Sequence, residues 1–284
     1  MRVTPSPGPW TAYARALLSR KPRVAAPGQG GFALERRAAG IRCDPRRLAT
    51  YRDVCGFAAG PDLPVTYPHV LAWPLHLALL TAPELPVRAL GLVHLRNRID
   101  ALRPLPEGVP LELRARLSGP REAGRGQELD LVTEAWAAGE LAWQEEAVLL
   151  ARRPGAGRGP PAPGDADPAG ADERRWEVPA ATGRRYARAS GDFNPIHLSA
   201  LTARAFGFER AIAHGMWSLA RIAAELGPGL PPGPVRLDAS FRAPVLLPAA
   251  VTLRRWEIAE GLGFALRDRG GSRPHVLGAL TTRP

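Results

Sequence analysis

From Val235 to Phe241 every second residue is apolar: Val235, Leu237, Ala239 and Phe241 alternate with Arg236, Asp238 and Ser240. That is the period of a strand with one buried face, and it predicts a strand near 234–243. Strand-like stretches follow near 249–258, 262–268 and 274–282. Ahead of this group the period changes. Met216, Leu219, Ala220, Ala223 and Leu226 recur at helical spacing and Gly227-Pro228 closes the run, so a helix is predicted over 215–226. Another is predicted from Pro195 to about Phe206, with Asn194 as N-cap, Pro195 in the first helical position and Gly207 as the stop. Trp176 to Pro179 reads as a short strand.

The first half follows the same order. Leu63 to Pro83 carries no formal charge, but Pro64, Pro68, Pro74 and Pro83 interrupt it and His69 and His76 lie within it. A buried central helix with an irregular entry fits that run better than a membrane span. Four strand-like runs follow, near 88–101, 109–118, 127–137 and 139–150. Tyr51 to Gly56 repeats the spacing of Tyr186 to Gly191, Pro68-His69 leads into an apolar helix as Ala213-His214 does, and Arg103-Pro104 stands before Leu111 as Ala243-Pro244 stands before Val251. One helix-plus-sheet unit, used twice, is the economical account. Residues 153–173 are dominated by Pro, Gly, Ala and Asp and read as a linker. The chain thus divides into residues 1–152, the linker 153–173, and residues 174–284.

The chemistry concentrates in the second unit, where residues 186 to 197 read Tyr-Ala-Arg-Ala-Ser-Gly-Asp-Phe-Asn-Pro-Ile-His. Asp192, Asn194 and His197 place a carboxylate, an amide and an imidazole in one turn of chain, a set able to hold and activate a water. Singly, Asp192 reads as a turn residue and Asn194 as a helix cap. With Ser190, Gly191, Pro195, Ile196 and His197 around them, they point to catalysis. At the third helical position, His197 would be kept neutral by the helix dipole, as a general base requires. His214-Gly215 then offers a bare backbone N–H at a helix start, the kind of donor that holds a developing oxyanion. His214 reads as a positioning residue, Ser190 as a local hydrogen-bond partner that holds the loop, and Tyr186 as packing beneath the turn.

This pattern resembles the signature of the R-specific enoyl-thioester hydratases, the MaoC-like dehydratases with a hot-dog fold. The resemblance implies an α+β double hot dog, in which two curved antiparallel sheets each wrap a central helix and pair edge to edge into one continuous sheet. It implies reversible hydration of a trans-2-enoyl thioester to the (R)-3-hydroxyacyl thioester, with Asp192 and His197 catalytic and Gly215 in the oxyanion hole. Asn194, Ser190 and His214 would position water and substrate, and Tyr186 and Pro195 would support the turn. After Gly56 the first half reads Phe-Ala-Ala-Gly-Pro-Asp-Leu-Pro, without Asp-x-Asn-Pro-x-His. It resembles the degenerate half of such enzymes, which helps form an acyl-chain tunnel. One site per chain follows, in a monomer that imitates a dimer, or in a homodimer. On this reading His69, His76 and His94 are packing histidines.

Composition adds little. Of the 284 residues 45% are hydrophobic, enough for a sizeable core. Lys21 is the only lysine, so 37 of the 38 basic residues are arginine, and the net charge of +11 fits a general bias towards Arg, Ala, Gly and Pro. The functional alternative is attraction to acidic partners, such as coenzyme A phosphates or an acyl carrier protein. Arg184, Arg185, Arg204 and Arg210 are phosphate candidates by position only. No nucleic-acid motif is present. Cys43 and Cys55 lie in no metal or redox pattern, which favours a reduced, cytoplasmic protein. Pro5, Pro7 and Pro9 argue against a signal peptide. The expected chemistry needs no metal or organic cofactor; CoA or an acyl-carrier phosphopantetheine would arrive with the substrate. Two rivals remain: a thioesterase, which needs a carboxylate aimed at the carbonyl carbon, and a non-catalytic acyl-thioester binding subunit.

Overall fold

The computed structural model describes residues 21–26, 30–153, 155, 167–230 and 233–282. The first half runs β1 (Phe32–Ile41), α1 (Pro45–Cys55), α2 (Tyr67–Leu80), β2 (Leu92–Ala101), β3 (Leu111–Ala123), β4 (Gly126–Ala137) and β5 (Glu140–Arg152). The second runs β6 (Asp172–Val178), α3 (Thr182–Ser190), a 3-10 turn (Pro195–His197), α4 (Ala200–Arg204), α5 (Gly215–Leu226), β7 (Val235–Phe241), β8 (Ala249–Ile258), β9 (Gly261–Asp268) and β10 (Pro274–Thr282).

The ten strands form one antiparallel sheet in the order β1-β3-β4-β5-β2-β7-β10-β9-β8-β6. Read inwards from either edge, the order is the same with five added to each strand number. The sheet is therefore the internal repeat made visible, joined where the β2 edge meets the β7 edge, from Arg96↔Ser240 to Ala101↔Val235. Across that seam Arg98 pairs with Asp238 at 2.8 Å and Arg236 with Asp100 at 2.7 Å.

α2 is apolar on nearly every face, which suits a helix enclosed by its surroundings. It packs on β1, β3 and β4, while α5 packs on β7 and β10. One continuous core joins both units, with Leu79, Leu113 and Trp143 in the first and Tyr186, Leu219 and Phe264 in the second. α1 lies against α3 and α5, and the Trp217 indole donates to the Val54 carbonyl at 2.9 Å. Among the described residues no helix is long and apolar enough to cross a membrane.

Several expectations need correction. The helix predicted over 195–206 is broken. Ser199 adopts an extended backbone (φ −156, ψ 162) and its hydroxyl accepts from the Thr202 N–H, so α4 starts afresh after a three-residue 3-10 turn. β6 starts at Asp172, inside the predicted linker; residues 154 and 156–166 of that linker lie outside the described residues, as do Pro5, Pro7 and Pro9. β1, α1 and α3 were not foreseen, and β3 runs on to Ala123.

Candidate active site

α3 ends at Gly191, whose left-handed φ of 83 lets the chain turn sharply after Ser190. Gly56 ends α1 in the same way, at φ 81. The shared Tyr-x4-Gly spacing is thus a buried tyrosine in the last turns of a helix followed by its left-handed stop. Beyond Gly191 the turn is a ladder of short side chains on backbone N–H groups. Ser190 Oγ accepts from the Asp192 N–H at 3.1 Å, Asp192 Oδ1 from the Asn194 N–H at 3.0 Å, and Asn194 Oδ1 from the Ile196 N–H at 3.4 Å. Pro195 opens the 3-10 turn that delivers His197.

His197 is buried and its Nδ1 lies 2.8 Å from the Ile212 carbonyl oxygen. A carbonyl only accepts, so Nδ1 carries the proton and, in the neutral ring, Nε2 holds a lone pair. His214 Nε2 donates to the Asp192 carbonyl at 3.0 Å and lies 3.8 Å from the Asp192 carboxylate. The two imidazoles stack with centroids 3.6 Å apart, and the Tyr186 ring lies 4.8 Å from His214. Burial pushes His197 below its usual pKa, although Asp192 and the Ile212 carbonyl oppose the shift. His214 is pushed well below, by burial and then by His197. Two stacked rings this close cannot both hold a charge at neutral pH. The helix-dipole account of a neutral His197 does not survive, because a 3-10 turn of three residues carries too little dipole; burial keeps the ring neutral.

Gly215 opens α5 behind His214, which makes no side-chain cap bond. The first N–H groups of α5 therefore have no intrahelical acceptor and face outward along the dipole. Ligand atoms of Asp192, His197 and His214 lie within 4.8 Å of one another, as do those of His69, His76 and Glu145. Either group is compact enough for a cation, but in the first both histidines already donate one nitrogen to a backbone carbonyl.

Two positioning residues escaped the sequence reading. Arg47, on α1, donates to the Ala189 and Ser190 carbonyls at 2.7 and 2.5 Å, so the first half caps the helix that carries the turn. Nothing marks it among so many arginines. Gly183, in the first turn of α3, has the His197 carbonyl where a Cβ would stand, 2.0 Å away. Gly183→Ala is expected to cost about 1–3 kcal/mol of stability by overpacking and to displace the turn. Thermal melting with parallel kinetics checks this; a variant as stable and as active as the parent contradicts it. Each arginine named as a phosphate candidate by position has a partner within the protein. Arg184, Arg204 and Arg210 reach the carbonyls of Leu198, Glu209 and Pro248, and Arg185 pairs with Asp53.

The MaoC like domain model matches residues 169–269, the span that contains this site. The chain is 34% identical to 3-hydroxyacyl-thioester dehydratase X of Mycobacterium tuberculosis over 242 residues, 82% of this chain and 84% of that protein. A crystal structure of HtdX from the same organism matches with a TM-score of 0.77 and 32% identity, covering 88% of this chain and all of that one. Another M. tuberculosis protein, described as a double hot-dog fold, matches at a TM-score of 0.52 and 12% identity, over 89% of this chain and 96% of that one.

Proposed function

Since the chain belongs to the MaoC-like dehydratase family, we propose that it interconverts a trans-2-enoyl thioester and the (R)-3-hydroxyacyl thioester by adding or removing water. The observation that carries this reading is the tautomer of His197. A buried, neutral imidazole with Nδ1–H fixed on Ile212 leaves Nε2 as a base beside the Asp192 carboxylate.

In hydration, Asp192 and His197 hold one water. His197 Nε2 takes its proton as the oxygen bonds to C3, and the electrons of the double bond move towards the thioester oxygen. The Gly215 N–H and the α5 dipole stabilise that oxyanion, and the proton returns to C2. His214 holds the backbone of Asp192, and Asn194 and Ser190 keep the turn in shape. Dehydration runs through the same steps in reverse. No metal or organic cofactor enters this scheme; CoA or acyl-carrier phosphopantetheine belongs to the substrate, and an acyl carrier protein is the natural protein partner. Two free cysteines fit a reducing, cytoplasmic setting.

Chiral analysis of the 3-hydroxyacyl product from crotonyl-CoA and longer enoyl-CoAs tests the reading. An (R)-product supports it, and an (S)-product or no product contradicts it. Gly215→Val should lower kcat on the order of 10²-fold, as loss of one oxyanion donor does. The branched side chain would stand over the N–H, and its Cβ would meet the Phe241 ring at 3.1 Å. Unchanged kinetics in that variant would reduce Gly215 to a helix-start residue.

A further inference from the structure

The first half carries its own buried polar group, which the proposed mechanism does not use. His69 Nδ1 lies 2.7 and 3.0 Å from the two carboxylate oxygens of Glu145, and Asn97 Nδ2 donates to the same carboxylate at 2.7 Å. Glu145 is wholly buried, and a carboxylate out of water needs a cation and hydrogen bonds to stay charged. His69 supplies the cation. Its other nitrogen, Nε2, makes no hydrogen bond among the described residues, and the side chain keeps 11% of its surface open to solvent. A carboxylate fixing one imidazole nitrogen while the other is left free is how catalytic histidines are oriented.

This group faces the site. His69, Trp73 and His76 share one face of α2 at helical spacing. Trp73 and Phe193, from the turn, both pack against Leu77, and the Trp73 ring edge stands 3.2 Å from where a Cβ on Gly191 would be. α2 also packs on α3, the helix that ends at Gly191 and leads into the catalytic turn. We propose that the first half supplies a positioning residue to the active site: His69, oriented by Glu145, sets an imidazolium against the Asp192 carboxylate. The proposal rests on the hydratase reading of that site.

The groups around His69 agree with a charged ring. Glu145 on β5, His94 and Asn97 on β2, His76 on α2 and Thr133 on β4 form one hydrogen-bonded and ring-packed group with His69. Burial alone would lower His69, but the charge and hydrogen bonds of Glu145, with Asp192 behind them, carry it above its usual value. The other five histidines are all lowered, His76 to about 3 and His94 to about 4. His69 alone is therefore shifted towards its protonated form. A raised histidine keeps its charge below its folded pKa and loses it as pH rises through that value, so the site should lose activity on the alkaline side.

The test combines kinetics with NMR. In the wild type, the His69 ring should titrate above free histidine, and kcat should fall over the same alkaline range. His69→Gln should lower kcat about tenfold with KM little changed, and should remove that alkaline limb. Glu145→Gln should move the limb to lower pH. If that variant does not fold, the wild-type NMR titration and His69→Gln decide alone. A neutral His69 at pH 7, or a His69→Gln profile that superimposes on the wild type, overturns the proposal. So does elemental analysis that finds a stoichiometric, chelator-removable divalent metal lost in His69→Gln, since the ring would then be a ligand. If the wild type hydrates no enoyl thioester, the hydratase reading fails; the NMR titration of His69 reads its charge independently of that outcome.

Discussion

Asp192→Asn and His197→Ala are each expected to cut turnover by about 10²- to 10⁴-fold, the range for loss of a positioned acid or base. Asparagine keeps the shape of the Asp192 side chain and an oxygen for the Asn194 N–H, so the turn persists while the charge is lost. Alanine at 197 leaves the Ile212 carbonyl without its donor, so some stability goes as well. Circular dichroism separates the two effects, because a folded but inactive variant locates the loss in the chemistry. The pH profile adds a signed prediction. A base must be neutral, and burial holds His197 below the usual 6.5, so activity should persist on the acid side of that value before it falls. Asp192 raises His197, so the residual activity of Asp192→Asn should show this acid limb at still lower pH. Near-normal turnover in either variant would remove that residue from the mechanism.

A fragment of residues 167–284 is expected to aggregate, or to form a weak dimer that loses long-chain substrates first. The fragment begins at Asp167 because that carboxylate binds Arg267 and Arg254 at 2.7 and 3.0 Å. Without the first half, β7 loses the partner that β2 provides from Arg96 to Ala101 and becomes an open edge. Trp217 loses the Val54 carbonyl, and α3 loses the Arg47 guanidinium from its C-terminal carbonyls. Pairing two β7 edges would imitate the natural seam and create two sites per dimer. Light scattering with hydration assays on short and long enoyl-CoAs reads the outcome. A monomer with full activity on every substrate would show that the halves are independent domains.

What could be read without coordinates was local and periodic. The alternation at 235–241 and the helical spacing at 215–226 each report one buried face, and both became elements with nearly those bounds. β1 gives a weak signal because its half-buried face, Phe32, Leu34, Arg36 and Ala38, is interrupted by an arginine, as an edge strand tolerates. α1 has a start signal in Asp44 before Pro45, and Asp44 does accept from the Arg46 and Arg47 N–H groups. The break at Ser199 comes from a side chain competing for the backbone, which apolar spacing does not register. The Asp192–His197 turn was legible because its groups are contiguous. Arg47 on the Ala189 carbonyl, Gly183 under His197 and His69 on Glu145 were not, since those contacts join residues far apart in sequence.

The central claim is that this site adds water across the enoyl double bond. Following enoyl absorbance and free thiol together, on crotonyl-CoA and a longer enoyl-CoA, tests it most directly. Absorbance should fall with no thiol released, and should cease to fall with Asp192→Asn. Thiol release at the rate of absorbance loss would make the protein a thioesterase, and a flat trace of both with the wild type would make it a binding subunit.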